Sequence, residues 1–298
     1  MKTFLAPMED ITDTVFRQVL CDIGRPDIFF TEFMNVDGFC SEGRDAVIHR
    51  LKFVDKERPI IIQLWGNTPE NYAETVKYLV ENVKPDGIDI NMGCSVKDVL
   101  KTGGGGALIK QKDLVKEIIE VVRGNIGDIP LSVKTRLGYN SVDYDWIEYL
   151  LSFNLAMLTI HGRLVKEGYN VSCRWDDIGK CVDIKNSISP TTLLIGNGDI
   201  FSKEQGEEYV GKYNLDGYMV GRGILQNPWI FSDKNNVSKE ERISVLKKHV
   251  KLYLDTWGGE KHFYTQRKYI KAYINGFDGA VKLRNELMLM GAEDILAF

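Results

Sequence analysis

The sequence predicts an α/β protein, a TIM (β/α)8 barrel followed by a small C-terminal all-helical domain. Three observations carry that expectation: eight short β-like runs recur through residues 1–232, segments of helical period lie between most of them, and residues 238–298 show helical patterning with no strand. Eight β–α units in about 230 residues suit a closed barrel better than an open doubly wound sheet, which usually has fewer strands.

The runs are Phe4–Ala6, Ile28–Thr31, Ile60–Gln63, Gly87–Asn91, Leu131–Thr135, Met157–His161, Thr192–Gly196 and Gly217–Val220. Pro69–Val80 and Lys112–Val122 between them have the spacing of amphipathic helices. Side chains alternate along a strand, so Leu131 and Val133 share one face while Ser132, Lys134 and Arg136 share the other; Leu158 and Ile160 oppose Thr159 and His161 in the same way. With the apolar face under the helices, Gln63, Asn91, Lys134 and His161 converge on the barrel mouth, where barrel enzymes keep their active sites. Ser232–Ser238 is a polar linker, and Ser238 with Glu241 three residues on is a helix start. Beyond it, Ile243, Leu246, Val250, Leu252 and Leu254 mark one amphipathic segment, and Tyr269–Tyr273 and Val281–Met290 mark others.

A chain of 298 residues with 44% hydrophobic content can bury a large core. Its five cysteines form an odd set without a C-x-x-C pair, which argues against a disulfide framework or zinc site and for a reducing, cytoplasmic setting. No run suggests a signal peptide or membrane span. The net charge of −4 hides an asymmetry: residues 238–298 carry 11 Lys and Arg against 8 Asp and Glu, net +3, so residues 1–237 carry net −7. That split gives the tail its own role.

The chief candidate for chemistry is Asn91-Met-Gly-Cys94 at a strand end, followed by the glycine run 103–106, which would let backbone approach a flat ligand. A thiol at a barrel mouth, protonated at its ordinary pKa of about 8.5, suits a general acid. Cys21, Cys40, Cys173 and Cys181 have no such context. Gly196-Asn-Gly-Asp-Ile200 and Gly221-Arg-Gly223 follow the last two strands, where barrels commonly bind a ligand phosphate; Arg222 would supply charge, and ordinary turn glycines are the other reading. Lys134 inside an apolar strand needs an anion, either an electron-rich ligand edge or a structural partner in Asp89 or Glu32. His161 is a ligand contact or a bonded core histidine, while His49, His249 and His262 lack support as ligands, and no metal is expected. Lys261, Arg267, Lys268, Lys271, Lys282 and Arg284 interleave with Phe263, Tyr264, Tyr269, Tyr273 and Phe277 against the single acid Asp278. Basic and aromatic side chains together suit nucleic acid, and on this segment alone a solvated helix with an aromatic core face explains them as well.

Together these stretches resemble the tRNA-dihydrouridine synthases, flavoenzymes with an FMN-binding barrel and a C-terminal helical domain. The resemblance covers nearly the whole chain: Leu5-Ala-Pro-Met8, Thr31-Glu32, Gln63-Leu-Trp-Gly66, Asn91-Met-Gly-Cys94, Val133-Lys-Thr-Arg-Leu-Gly138, Ile160-His-Gly-Arg163, Gly196-Asn-Gly-Asp-Ile200, Gly221-Arg-Gly223 and Asn227-Pro-Trp-Ile-Phe231. It implies FMN held by Pro7, Met8, Gln63, Lys134, His161, Asn197, Gly198, Asp199, Gly221 and Arg222, reduced by NADPH. It further implies Cys94 as the acid that protonates C5 of a uracil whose C6 takes hydride, and tRNA contacts at Asn91, Arg136, Arg163, Lys166, Arg174, Arg267, Lys268, Lys271 and Arg284. A monomer is expected. The sequence departs from the family pattern at Ser95, where Pro is usual, which loosens the loop, and in the spacing Tyr169-Asn-Val-Ser-Cys-Arg-Trp175. Two alternatives stay open: an FMN barrel acting on a free pyrimidine, like dihydroorotate dehydrogenase, and a flavin-containing tRNA-binding protein without catalysis.

Overall fold

A computed structural model describes residues 1–234 and 236–298; the expected linker over 232–238 includes Asn235, which lies outside the described residues. The strands are β1 (Lys2–Leu5), β2 (Phe29–Phe30), β3 (Met34–Asn35), β4 (Ile60–Trp65), β5 (Gly87–Met92), β6 (Leu131–Arg136), β7 (Met157–His161), β8 (Leu193–Asn197) and β9 (Gly217–Val220). They run β1-β9-β8-β7-β6-β5-β4-β2, every pairing is parallel, and a bridge from Phe4 to Ile28 closes the ring. All eight expected strands are present. The addition is β3, which pairs with β4 beyond β2, so the second barrel strand is broken at Thr31–Phe33, where Glu32 turns its carboxylate to accept the Asp10 N–H at 2.7 Å.

Alternation builds two layers. Ile62, Ile88, Ile90, Val133, Leu158, Ile160, Leu194 and Val220 face the helices. Phe4, Phe30, Ile61, Met157, Ile195 and Met219 fill the barrel floor. Nearer the strands' C-terminal ends the inward positions become polar: Gln63, Asp89, Asn91, Ser132, Thr159, His161 and Asn197 are all buried. The apolar floor needs no partners, whereas every polar group above it must find one or leave a cost. Helices cover the outside as expected; Lys112–Arg123 buries Val115, Ile118, Ile119 and Val122 at helical spacing.

In the tail, Ser238 caps helix Lys239–Trp257 by accepting the Glu241 N–H at 3.1 Å. The Glu241 carboxylate pairs with Lys234 at 2.7 Å, so only half of a reciprocal capping box forms. The buried stripe is Val245, Leu246, His249, Val250, Tyr253 and Trp257, so Ile243, Leu252 and Leu254 lie beside it and polar-tipped residues complete it. His249 satisfies both ring nitrogens: Nε2–H donates to Gln266 Oε1 at 3.0 Å and Nδ1 accepts from the Tyr273 hydroxyl at 2.9 Å. Burial pushes its pKa down to about 4, which makes it a neutral core group.

The tail docks beside the barrel mouth. Asp13 caps helix Thr14–Ile23 through the Phe16 N–H at 3.0 Å, and its other oxygen accepts the Trp257 indole N–H at 3.1 Å. The Tyr269 ring lies 4.9 Å from Phe16, its hydroxyl reaches the Ile11 carbonyl, and the Lys268 ammonium reaches that of Asp10. Arg17, fully buried, fixes the same corner, donating to Glu57 at 2.5 Å, to the Lys52 carbonyl at 2.8 Å and to the Thr12 carbonyl. Glu57 also accepts from Thr14 Oγ1 at 2.6 Å and Val54 N at 2.9 Å.

Removing one member of such a pair strands the other's charge. Glu57→Ala is expected to destabilise the fold by about 3–5 kcal/mol, measured by urea unfolding; a loss within about 1 kcal/mol would show that Arg17 finds other partners.

Candidate active site

A cavity of about 350 Å³ opens at the C-terminal ends of the strands, within the size range of small-molecule sites. Its lining includes Pro7, Met8, Gln63, Lys134, His161, Asn197, Gly198, Asp199, Gly221 and Arg222, together with Asn91, Cys94, Arg136 and Arg163. Barrel parity brings these together from strands and loops far apart in sequence.

The cysteine loop is held from below by a directional series of amides. Asp89, fully buried, accepts Ser132 Oγ at 2.6 Å and Gln63 Nε2 at 2.7 Å. Gln63 Oε1 then accepts Asn91 Nδ2 at 2.8 Å, and Asn91 Oδ1 accepts the N–H groups of Gly93 at 3.1 Å and Cys94 at 2.9 Å. Asn91, expected to touch substrate, holds the backbone that carries the thiol. Burial pushes the Asp89 carboxyl up to about 6, against the Ser132 and Gln63 hydrogen bonds and the Lys134 charge. Its oxygens go to Gln63 and Ser132, so the structural ion pair considered for Lys134 is not formed. Burial, then the Arg136 charge, bring Lys134 down to about 8, while Asp89 acts in the opposite direction.

Arg136 is also a structural clamp. Only 4% exposed, it donates to the Gly93 carbonyl at 2.8 Å, the Leu164 carbonyl at 2.8 Å and Ser95 Oγ at 3.1 Å, tying the cysteine loop to the loop after β7. Ser95 therefore anchors the loop that its presence was expected to loosen. The glycine run packs behind this loop and not on the cavity: a Cβ at Gly106 would lie 2.9 Å from the Cys94 carbonyl oxygen and 2.8 Å from Val165. Its glycines serve loop-to-loop contact, which corrects the expectation of approach to a ligand.

Burial pushes the Cys94 thiol up, against a backbone hydrogen bond from Val96 and the Arg136 and Lys134 charges. The side chain is a protonated thiol at neutral pH. His161 is held well below its ordinary value by burial and by Lys134, Arg136, Arg163 and Arg222. Its Nε2 lies 3.2 Å from Arg163 Nη1, and arginine can only donate, so Nε2 accepts and Nδ1 carries the proton.

At the other end of the cavity Arg163 is 1% exposed and spends its donors on protein: Asp199 at 2.7 Å, the Val171 carbonyl at 2.6 Å and Cys173 Sγ at 3.0 Å. It fixes the 169–173 loop. Asp199 also lies 3.3 Å from Arg222; a carboxylate has no hydrogen to offer a phosphate, so its side chain orients Arg222 instead of serving as the expected ligand. Gly198, at φ +122°, admits no Cβ, which would sit 2.3 Å from Cys173 Sγ and 2.8 Å from His161 Cδ2.

A family model described as dihydrouridine synthase matches residues 4–294. The chain belongs to the dihydrouridine synthase family. It is 41% identical over 289 residues to the "Probable tRNA-dihydrouridine synthase" of Staphylococcus aureus, covering 95% of this chain and 87% of that protein. It is 39% identical over 290 residues to the "Probable tRNA-dihydrouridine synthase 2" of Bacillus subtilis, covering 95% and 88%. An old yellow enzyme homologue from Zymomonas mobilis superposes with TM-score 0.55 at 12% identity, over 80% of this chain and 90% of that one, a likeness of fold alone.

In this dihydrouridine synthase the other residues expected at tRNA lie outside the cavity lining. Lys166 and Lys271 are exposed, Arg174 pairs with Glu167, Arg284 donates to the Ile274 carbonyl at 2.9 Å, and Lys268 is engaged at Asp10. Sequence reasoning missed Glu9 and Phe201 in the lining and the framework roles of Asp89 and Cys173, and it singled out Ser95 and Tyr169 only as departures from the family pattern. Asp89 was legible as an inward position two before Asn91, whereas the others sit on loops without periodicity. It also missed the grouping of Glu9, Asp10 and Glu32, whose ligand atoms lie within 4.8 Å of one another. Glu9 is paired with Arg50 there.

With the thiol's pKa raised, alkylation of Cys94 by iodoacetamide is expected to rise with pH to a midpoint above the ordinary thiol value of about 8.5. Lys134, itself brought down to about 8, is largely neutral at that midpoint, so Lys134→Met should leave it nearly unchanged. Site-resolved mass spectrometry across pH tests both; a midpoint below 8 would contradict the buried-thiol account.

Proposed function

We propose that this chain reduces uridine in tRNA to 5,6-dihydrouridine with FMN as its flavin, NADPH as reductant and Cys94 as the proton donor. The observation that carries the reading is a half-buried, protonated thiol on a loop fixed at several points, sharing one cavity with an ammonium, Lys134, that has no ion-pair partner among the described residues.

The residues present fit FMN. Ala6, Pro7 and Met8 offer an apolar wall, Arg222 offers charge, and a Cβ at Gly221 would meet nothing nearer than Ala6 Cβ at 3.9 Å, leaving room for a phosphate. Lys134 would stand at the electron-rich edge of the ring system, which supplies the anion its placement demands. Gln63 is oriented by Asp89, and the Nδ1–H of neutral His161 remains a donor. Arg222 would meet the phosphate, aligned by Asp199.

When bound, the reduced flavin supplies a hydride to C6 of the uracil. Cys94 would deliver its proton to C5, so one hydride and one proton together saturate the C5=C6 bond, and the thiolate recovers its proton from solvent. Arg136 and Lys134 lie close enough to favour that thiolate once formed. For the thiol to reach C5, the base must leave its stack in the RNA. The tail's docking against Asp10 and Ile11 at the mouth supports a macromolecular substrate over a free pyrimidine.

Anaerobically, flavin in the purified protein should be reduced by NADPH and reoxidised on adding tRNA that lacks modifications, followed by absorbance. Cys94→Ala should keep its flavin and its reduction by NADPH while losing about 10²–10⁴-fold in the tRNA step, the usual contribution of a general acid. Reoxidation by orotate and not by tRNA would replace this reading with the free-pyrimidine one, and tRNA binding without turnover would leave the noncatalytic one.

A further inference from the structure

The tail's helical surface carries an arrangement that neither the chemistry at Cys94 nor the packing of the core uses. Tyr264 is 73% exposed. The Arg267 guanidinium carbon lies 4.9 Å from its ring centroid, and Arg267 Nε is buried without a hydrogen-bond partner among the described residues. A donor left in that state costs free energy, so the Arg267 side chain has reason to re-orient when an anion offers its guanidinium a partner.

Position supports a common purpose. Tyr264, Arg267, Lys268 and Lys271 fall at i, i+3, i+4 and i+7, one face of the helical run formed by Phe263–Gln266 and Arg267–Tyr273. The opposite face, with Tyr269, Ile270 and Tyr273, is buried. Lys268 on the exposed face touches the Asp10 carbonyl, next to Glu9 of the cavity lining. Tyr264 therefore lies about one helical turn, roughly 5 Å of rise, from the residue that contacts the mouth. One flat ring, one guanidinium with an unmet donor, and further cationic side chains in line suit a nucleobase followed by its phosphates.

We propose that Tyr264 and Arg267 form a shelf for an unpaired nucleotide flanking the target uridine, the base stacked on Tyr264 and the adjacent phosphate bonded by Arg267. This rests on the reading of tRNA as substrate. Extruding a uridine removes the stacking partner of its neighbours, and the shelf replaces part of what is lost. It acts on RNA placement and not on the chemical step.

Direct tRNA binding, measured by fluorescence anisotropy over a range of salt concentrations, tests this apart from catalysis. Tyr264→Ala should weaken binding by roughly tenfold or more, the scale of one base–aromatic stack, without changing the slope of log K against log salt. Tyr264→Trp should bind as wild type. Arg267→Gln should weaken binding and flatten the slope by about one unit, as for one lost phosphate contact. Far-UV circular dichroism and flavin content report folding, and Tyr264 is exposed enough for its substitutions to leave both unchanged. Unchanged affinity in Tyr264→Ala, an unchanged salt slope in Arg267→Gln, or no tRNA binding by the wild type overturns the proposal. If binding follows the expected pattern but no uridine is reduced, the shelf stands and the catalytic reading fails.

Discussion

The acceptor-only character of the Asp89 carboxylate sets the order of the site above it. An amide side chain can be turned end for end at little cost in water, and in a barrel interior that choice would leave the cysteine loop with two possible supports. Asp89 removes the choice. It can only accept, so Gln63 must present its NH2 downward and its carbonyl upward, which makes Asn91 present its NH2 to Gln63 and its oxygen to the Gly93 and Cys94 N–H groups. A negative charge under the barrel mouth is thereby converted into a fixed direction for the thiol's backbone. Burial of a carboxylate opposes this arrangement, as its pKa of about 6 indicates, and the hydrogen bonds from Ser132 and Gln63 offset part of that cost.

The second constraint is the sharing of groups between barrel and tail. Asp13 divides its two oxygens between a helix cap and the Trp257 indole, so the start of the barrel's first helix and the end of the tail's long helix cannot move independently. Arg17 and Glu57 hold the same corner with a pair out of contact with water. Such pairs are expensive to bury and more expensive to break, which suits a place where geometry must be kept. The loop at Met8–Ile11 is thus pinned between cavity and tail, and any RNA lying on the tail is registered against the mouth.

Periodicity made the barrel legible, because each strand's alternation has only two phases and one of them must face the helices. The same rule exposed Gln63, Asn91, Lys134 and His161. It did not reveal that Asn91 and Arg136 have structural partners, because a buried polar side chain that touches ligand and one that holds a loop have the same sequence signature. Arg163 and Asp199 illustrate the limit further: adjacent to glycine in both cases, they were expected to face ligands, and their pairing across 36 residues turned them toward each other. The glycine run 103–106 was misjudged for a related reason. Close approach of backbone to a ligand and of one loop to another place the same demand on Cβ, and Gly106 meets Cys94 and Val165.

The electrostatics of the mouth bear on two opposed needs of the proton donor we propose at Cys94. A general acid must hold its proton before the reaction and release it at low cost during it. Lys134 and Arg136 by themselves would ionise Cys94 prematurely, and burial by itself would make the thiolate too costly to form. Here burial outweighs the cations, so the resting thiol is protonated, while the cations remain in place to receive the negative charge that proton donation would leave on sulfur. They favour the state after proton transfer more than the one before it, which is the condition under which a fixed charge accelerates a step instead of merely strengthening binding. His161 shares this field; burial and the surrounding cations keep it neutral, so its proton stays on Nδ1 while the positive charge of the mouth stays on Lys134 and the arginines.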